Sequence, residues 1–117
     1  MAAYPVEFFE ISGTESVLDE ISGELTAKQV YHFSRQIKRL EKYGRALDGD
    51  YFGSVKGVRE KLSEFRLTLD RVDYRVLFVE EQGAFRMLVG YKEKRNSIPQ
   101  GKIASAVQRL VEWRERT

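Results

Sequence analysis

The sequence contains no cysteine and only one histidine, His32. The lack of cysteine excludes disulfides and thiolate chemistry, and it is compatible with a reducing compartment. A serine protease-like triad would depend on His32 alone, and zinc sites lack their usual ligands. No acidic cluster has metal-ligand spacing either. We therefore expect no metal and no cofactor, and we interpret His32 as ordinary helix surface or core edge.

Other signals are missing as well. No glycine-rich run ends in Gly-Lys-Ser/Thr, so a phosphate-binding loop of that type is absent. No apolar run approaches the roughly 18 residues of a membrane span. Residues 1–12 carry Glu7 and Glu10 and no basic residue, the opposite of a signal peptide. These features predict a cytoplasmic protein that has no membrane partner.

The length of 117 residues predicts one domain, residues 1–117. The net charge of +2 conceals an uneven distribution, because residues 1–50 carry −3, residues 51–81 are neutral and residues 82–117 carry +5. A basic end on a small domain favours a polyanionic partner, although a solvated basic helix is an equally simple interpretation.

The first half of the chain reads as one strand followed by two helices. Tyr4–Ile11 is predicted as the strand, and Thr14 precedes a helix that runs to Leu25. Thr26 is a suitable N-cap for a longer helix, which Gly44 is placed to end. The apolar residues of this helix recur at the helical period: Val30, Phe33, Ile37 and Leu40. The stretch Gly44–Gly57 reads as a loop.

In the second half of the chain, apolar residues recur at every second position. Strands are predicted over Lys61–Leu69 and Val72–Glu80, with Phe65, Leu67 and Leu69 on one face of the first. A third strand is predicted from residues that alternate along it: Phe85, Met87, Val89 and Tyr91. Asp70-Arg71 and Gln82-Gly83 are the predicted turns, although the first lacks the usual glycine. Pro99 precedes a final amphipathic helix.

This order, β-α-α-β-β-β-α, predicts an α+β fold with an antiparallel meander sheet. We expect the helices to cover one face of the sheet and to leave the other partly open for a site.

The residues able to carry chemistry are basic and aromatic. Arg66 lies beside Glu64 on the polar face of its strand, and Arg75 lies within a strongly hydrophobic strand. Tyr91 and the run from Lys92 to Arg95 close the third strand. Each has a plain structural interpretation: a cross-strand salt pair for Glu64 and Arg66, an ion pair of Arg75 with Asp73 or Glu64, packing of Tyr91, and a solvated turn for the basic run.

The same residues carry a family resemblance. Glu64-Phe65-Arg66, Tyr74-Arg75-Val76-Leu77-Phe78, Gly90-Tyr91-Lys92-Glu93-Lys94, Pro99 and the helix after it resemble the HigB-like branch of the RelE toxin superfamily. That branch includes the phage-derived Gp49-like proteins. The resemblance is close over about half of the chain. Glu93 departs from the family pattern, where a lysine is common, and Tyr91 stands where phenylalanine is common.

The resemblance implies a RelE-like fold and the toxin of a type II toxin-antitoxin system. It also implies a metal-independent, ribosome-dependent mRNA endoribonuclease that a cognate antitoxin neutralises. The implied catalytic residues are Glu64, Arg66, Arg75, Tyr91 and Lys94, and the implied phosphate-binding residues are Lys56, Lys61, Lys92 and Arg95. The RNA supplies its own 2′-hydroxyl nucleophile, the cations stabilise the phosphate, and Glu64 or Tyr91 is the base.

Two other functions fit the same sequence. One is a non-nuclease relative such as a ParE-like gyrase poison, because fold does not fix function. The other is a non-catalytic nucleic-acid-binding module of a phage or mobile element, which predicts steeply salt-dependent binding. For an antitoxin, Trp113 is the expected exposed contact, since it lies outside the main apolar stripe of the last helix.

Overall fold

A computed structural model describes residues 3–47, 49–94 and 97–116. The predicted α+β class is confirmed. The strands are β1 (Val6–Phe8), β2 (Phe52–Ser54), β3 (Ser63–Leu69), β4 (Val72–Glu81) and β5 (Ala84–Lys92). The helices are α1 (Val17–Gly23), α2 (Ala27–Tyr43) and α3 (Gln100–Arg116). No helix within the described ranges is long and apolar enough to cross a membrane.

Side-chain caps fix the starts of α1 and α2. Thr26 accepts a hydrogen bond from the backbone of Gln29, whose side chain accepts one in return, so the predicted N-cap is confirmed. The same arrangement joins Ser16 and Asp19, so α1 begins two residues later than Thr14 would place it. Gly44 ends α2 at a φ of 57°, where a Cβ would press against a tyrosine ring.

The five strands form one sheet in the order β1-β5-β4-β3-β2. The predicted meander is confirmed as β3, β4 and β5, which pair antiparallel, whereas β1 pairs parallel with β5. Part of the predicted loop Gly44–Gly57 is wrong, because its residues Phe52–Ser54 form β2 against β3. Three residues are too few for the alternation that identifies a strand.

Helices cover both faces of the sheet, so the expectation of one covered face is wrong. One buried cluster joins α1 and α2 to one face, and a second joins α3 to the opposite face of β4 and β5. Trp113, expected to be exposed, packs between the two clusters, with its ring centroid 5.9 Å from that of Phe9. His32 is half-buried on α2, as expected.

A β-bulge in β5 exchanges the faces of the strand. Leu77 pairs with Val89 and Phe78 with Met87, which leaves Leu88 without a partner on β4. Met87 therefore packs in the α1–α2 layer, whereas Val89 and Tyr91 belong to the α3 side. The predicted uninterrupted alternation of β5 is wrong for this reason.

Both predicted turns are present. Gln82 and Gly83 join β4 to β5 with φ values of 54° and 74°. Asp70 and Arg71 join β3 to β4 with φ values of 48° and 73°. Both connections therefore use the left-handed conformations that a tight hairpin requires, the second without a glycine.

Candidate functional site

Three predicted site residues form a row across the sheet. Arg66 of β3 pairs with Arg75 of β4, which pairs with Tyr91 of β5. Paired residues on neighbouring strands point to the same face, so these side chains are adjacent. The bulge brings Tyr91 to this face, because regular alternation from Met87 would turn it toward α1 and α2.

Glu64 completes the cluster from two positions before Arg66. Its Oε1 accepts a hydrogen bond from Arg66 Nε at 2.7 Å, and its Oε2 lies 3.5 Å from the Tyr91 hydroxyl. Glu64 is buried, whereas the Arg66 side chain is 41% exposed. The salt pair of Glu64 and Arg66 is confirmed, but its predicted cross-strand geometry is wrong, because both residues lie on β3. One carboxylate therefore orients both a cation and a phenol.

Gly53 of β2 makes room for this arrangement. It pairs with Glu64, and a Cβ at this position would overlap the Arg66 guanidinium and come within 3.0 Å of Glu64 Oε1. Only a residue without a side chain lets Arg66 lie flat against β2. The sequence predicts Gly53 only as part of the loop Gly44–Gly57.

Arg75 has no carboxylate partner within the described ranges. The structural interpretation of Arg75, an ion pair with Asp73 or Glu64, is wrong: Glu64 pairs with Arg66, and Asp73 accepts a hydrogen bond from Thr68. Arg75 is half-buried and faces an open cavity. A guanidinium held this way keeps its donors available for an anion.

Burial in the sheet raises the pKa of Tyr91 well above its ordinary value of 10.0. The Glu64 carboxylate raises this pKa further, and nearby Arg75 only partly offsets the effect. Tyr91 is therefore protonated at neutral pH, and it can donate a hydrogen bond but is a poor base. Of the two bases considered from the sequence, this favours Glu64.

The row opens into a cavity of about 320 Å³, which Glu93, Ser97 and Ile98 also line. The cavity lies where the chain leaves β5 and approaches the start of α3. Its lining carries two arginines and two glutamates, so charge in it is balanced rather than purely basic. An adjoining hollow of about 390 Å³ holds Lys92 and Lys94 beside Tyr91. The two predicted lysines are thus close to the row without lining the main cavity.

The remaining predicted phosphate ligands do not join the row. Lys61 lines a different hollow, together with Glu80, Glu81 and Arg114, where β4 ends. Lys56 is exposed and follows Val55, whose backbone N–H donates to the carbonyl of Leu62, the residue just before β3. Arg95 lies outside the described residues. Within the described ranges, no group of three or more histidine or acidic side chains is arranged to hold a metal ion.

The structure adds residues that sequence reasoning missed. A hollow of about 380 Å³ lies on the other side of Arg66 and Arg75 and includes Gln36, Asp50 and Tyr51. These residues come from α2 and the segment before β2, far from Arg66 in sequence. Only the glycines around Asp50 could have drawn attention to the segment, and they indicate a loop rather than a site.

The five-stranded sheet with helices on both faces is the α+β fold of RelE-like proteins. The profile of the phage-derived Gp49-like protein family (DUF891) matches residues 22–111. The chain therefore belongs to this family, which is related to toxin-antitoxin systems and lies within the RelE/HigB-like toxin superfamily. Membership implies an antitoxin partner. No curated protein matches the chain significantly.

Proposed function

We propose that this protein is a toxin of the HigB-like branch that cleaves mRNA on the ribosome, in the cytoplasm, without a metal ion. The observation that carries the proposal is the half-buried Arg75, which has no carboxylate partner among the described residues and lies beside the Glu64–Tyr91 pair in an open cavity. An anion site next to an acid–base pair is what cleavage through the RNA 2′-hydroxyl requires.

Arg75 and Arg66 bind the scissile phosphate in this mechanism. Their guanidinium groups present planar arrays of donors, which suit two phosphate oxygens at once. Arg66 is already oriented by Glu64, so it loses little side-chain freedom when the substrate binds. Negative charge grows on the phosphate oxygens as the reaction proceeds, and fixed cations stabilise the transition state more than the ground state.

Glu64 and Tyr91 transfer the protons in this mechanism. Glu64 accepts the proton of the 2′-hydroxyl as the O2′–P bond forms, and the P–O5′ bond breaks. Tyr91, protonated at neutral pH, donates to the departing 5′ oxygen. The products are a 2′,3′-cyclic phosphate and a 5′-hydroxyl. Lys94 and Lys92 supply positive charge to the adjoining backbone from the neighbouring hollow.

The ribosome supplies the alignment of the substrate. The cavity is open and balanced in charge, so it offers little to hold free RNA in line for attack. Orientation by a larger partner can contribute several kcal/mol to catalysis. The proposal therefore predicts cleavage of translated mRNA, with slow or no cleavage of the same RNA when it is free.

The test compares Arg75→Gln with Arg59→Gln during inducible expression. Arg59 is exposed in the loop after β2 and lines the distant hollow that contains Lys61, so it is a matched loss of one positive charge. We expect the wild type and Arg59→Gln to arrest growth and to create new 5′-hydroxyl mRNA ends within reading frames. Arg75→Gln should create none, while its thermal unfolding midpoint stays close to that of the wild type.

Two results would overturn the proposal. Arrest that persists in Arg75→Gln, with DNA breaks and intact mRNA, would indicate a gyrase poison. RNA binding that weakens steeply with salt, without arrest or new mRNA ends, would indicate a binding module.

A further inference from the structure

The hollow that contains Gln36, Asp50 and Tyr51 shares Arg66 and Arg75 with the cavity beside Glu64 and Tyr91. A phosphate bound by these guanidinium groups has the Glu64–Tyr91 pair on one side. On its other side lies this second space of about 380 Å³. A nucleoside attached to that phosphate would therefore extend into the second hollow.

Asp50 gives this hollow a chemistry unlike that of a phosphate site. Its carboxylate is exposed and makes no salt bridge or side-chain hydrogen bond with any residue in the described ranges. A free carboxylate repels a second phosphate but accepts two N–H donors at once. It therefore favours a nucleobase edge that presents adjacent N–H groups.

Gln36 supplies a donor in the same hollow. Its side-chain oxygen accepts a hydrogen bond from Arg39 Nη1 at 3.3 Å, so the amide nitrogen remains available to donate. The same Arg39 atom donates to the Tyr51 hydroxyl at 2.8 Å, and the guanidinium carbon lies 5.4 Å from the centroid of that ring. Arg39 thus orients both the amide and the ring from outside.

We propose that this hollow, which we call the base pocket, recognises guanine next to the phosphate held by Arg66 and Arg75. Asp50 accepts from guanine N1–H and N2–H₂, and the Gln36 amide donates to O6. Adenine offers one donor to the carboxylate, and uracil and cytosine lack the paired donors beside an acceptor. The inference rests on the proposed function for its substrate class, and it adds the base preference.

Binding of nucleoside monophosphates tests the base pocket without requiring cleavage. Guanosine, inosine, adenosine, cytidine and uridine monophosphates are titrated into the full chain, and dissociation constants are measured by NMR shifts. A lost bidentate contact is worth about tenfold or more in affinity. We expect guanosine monophosphate to bind about tenfold tighter than adenosine monophosphate, with inosine, which lacks the 2-amino group, in between.

Asp50→Asn is the decisive variant, because it replaces one acceptor oxygen with a donor and keeps the shape. It should abolish the difference between guanosine and inosine monophosphates. Asp70→Asn is the matched control, since Asp70 is in the β3–β4 turn and pairs with Lys28 on the surface. This control should keep the guanine preference, and asparagine tolerates the left-handed backbone there.

The outcomes separate the two proposals. Equal affinity for all bases, or a guanine preference that survives Asp50→Asn, would overturn the base pocket. Enrichment of guanine beside the mapped mRNA ends, lost in Asp50→Asn, would support it. A guanine preference in binding without any mRNA cleavage in cells would support the pocket and refute the nuclease.

Discussion

Replacing Arg71 with glycine should stabilise the protein. The two hairpin turns of the meander have nearly the same backbone, with φ values of 73° at Arg71 and 74° at Gly83. Glycine adopts this conformation without a steric penalty, whereas a residue with a Cβ does not. The β3–β4 turn therefore carries strain that the β4–β5 turn avoids.

The size of the effect follows from two opposing contributions. Left-handed backbone costs a residue with a side chain roughly 1–2 kcal/mol. Glycine gives the unfolded chain more freedom, which offsets about 0.4–1 kcal/mol of that gain. The Arg71 side chain is exposed and makes no salt bridge or hydrogen bond with residues in the described ranges, so nothing else is lost. The net gain should be about 0.5–1 kcal/mol, or about 2–4 °C in the unfolding midpoint.

Urea and thermal unfolding of three proteins would measure this gain. Arg71→Ala is the control, because it removes the same side chain and charge but keeps the Cβ. We expect Arg71→Gly to exceed the wild type in stability and Arg71→Ala not to. An equal gain in both variants would show that the side chain, and not the backbone, was responsible. No gain in Arg71→Gly would refute the strain itself.

Two further predictions concern the site. Gly53→Ala should displace the Arg66 guanidinium and lower mRNA cleavage by about 10²-fold, as loss of one positioned donor does. The free energy of unfolding should change by less than about 1 kcal/mol, because Arg66 can rotate away from the added methyl group. Unchanged cleavage would contradict this role of Gly53. In a pH titration, Tyr91→Phe should leave the rise in tyrosinate absorbance near pH 10 as large as in the wild type, because burial raises the pKa of Tyr91 above that range. A smaller rise in the variant would show that Tyr91 ionises near pH 10.

Local signals in the sequence predicted much of the fold. Thr26 and Gly44 mark the ends of α2 because caps depend on residues within one turn. The three long strands follow from their alternation, and both turns from their dipeptides. The position of α3 on the opposite face was not predictable, because an amphipathic stripe shows that a helix is buried and not against which surface.

The site was predictable only in part. The pattern pointed to Arg66, Arg75 and Tyr91, and strand pairing is what makes them neighbours. The pattern could not exclude Lys61, which lies at the other end of the sheet, because the identity of a lysine does not show at which end of the sheet it lies. Among the described residues Arg75 has no carboxylate partner because Glu64 pairs with Arg66 instead, and this pairing depends on the tertiary structure.

Leu88, which has no partner on β4, divides β5 into two stretches whose residues have different roles. Before it, Phe85 and Met87 fill the layer beneath α1 and α2, and after it Tyr91 faces the cavity. Substitutions in the first stretch should alter folding, and those at Tyr91 should alter chemistry. The residue of β5 that faces the cavity can therefore change during evolution without repacking the layer beneath α1 and α2.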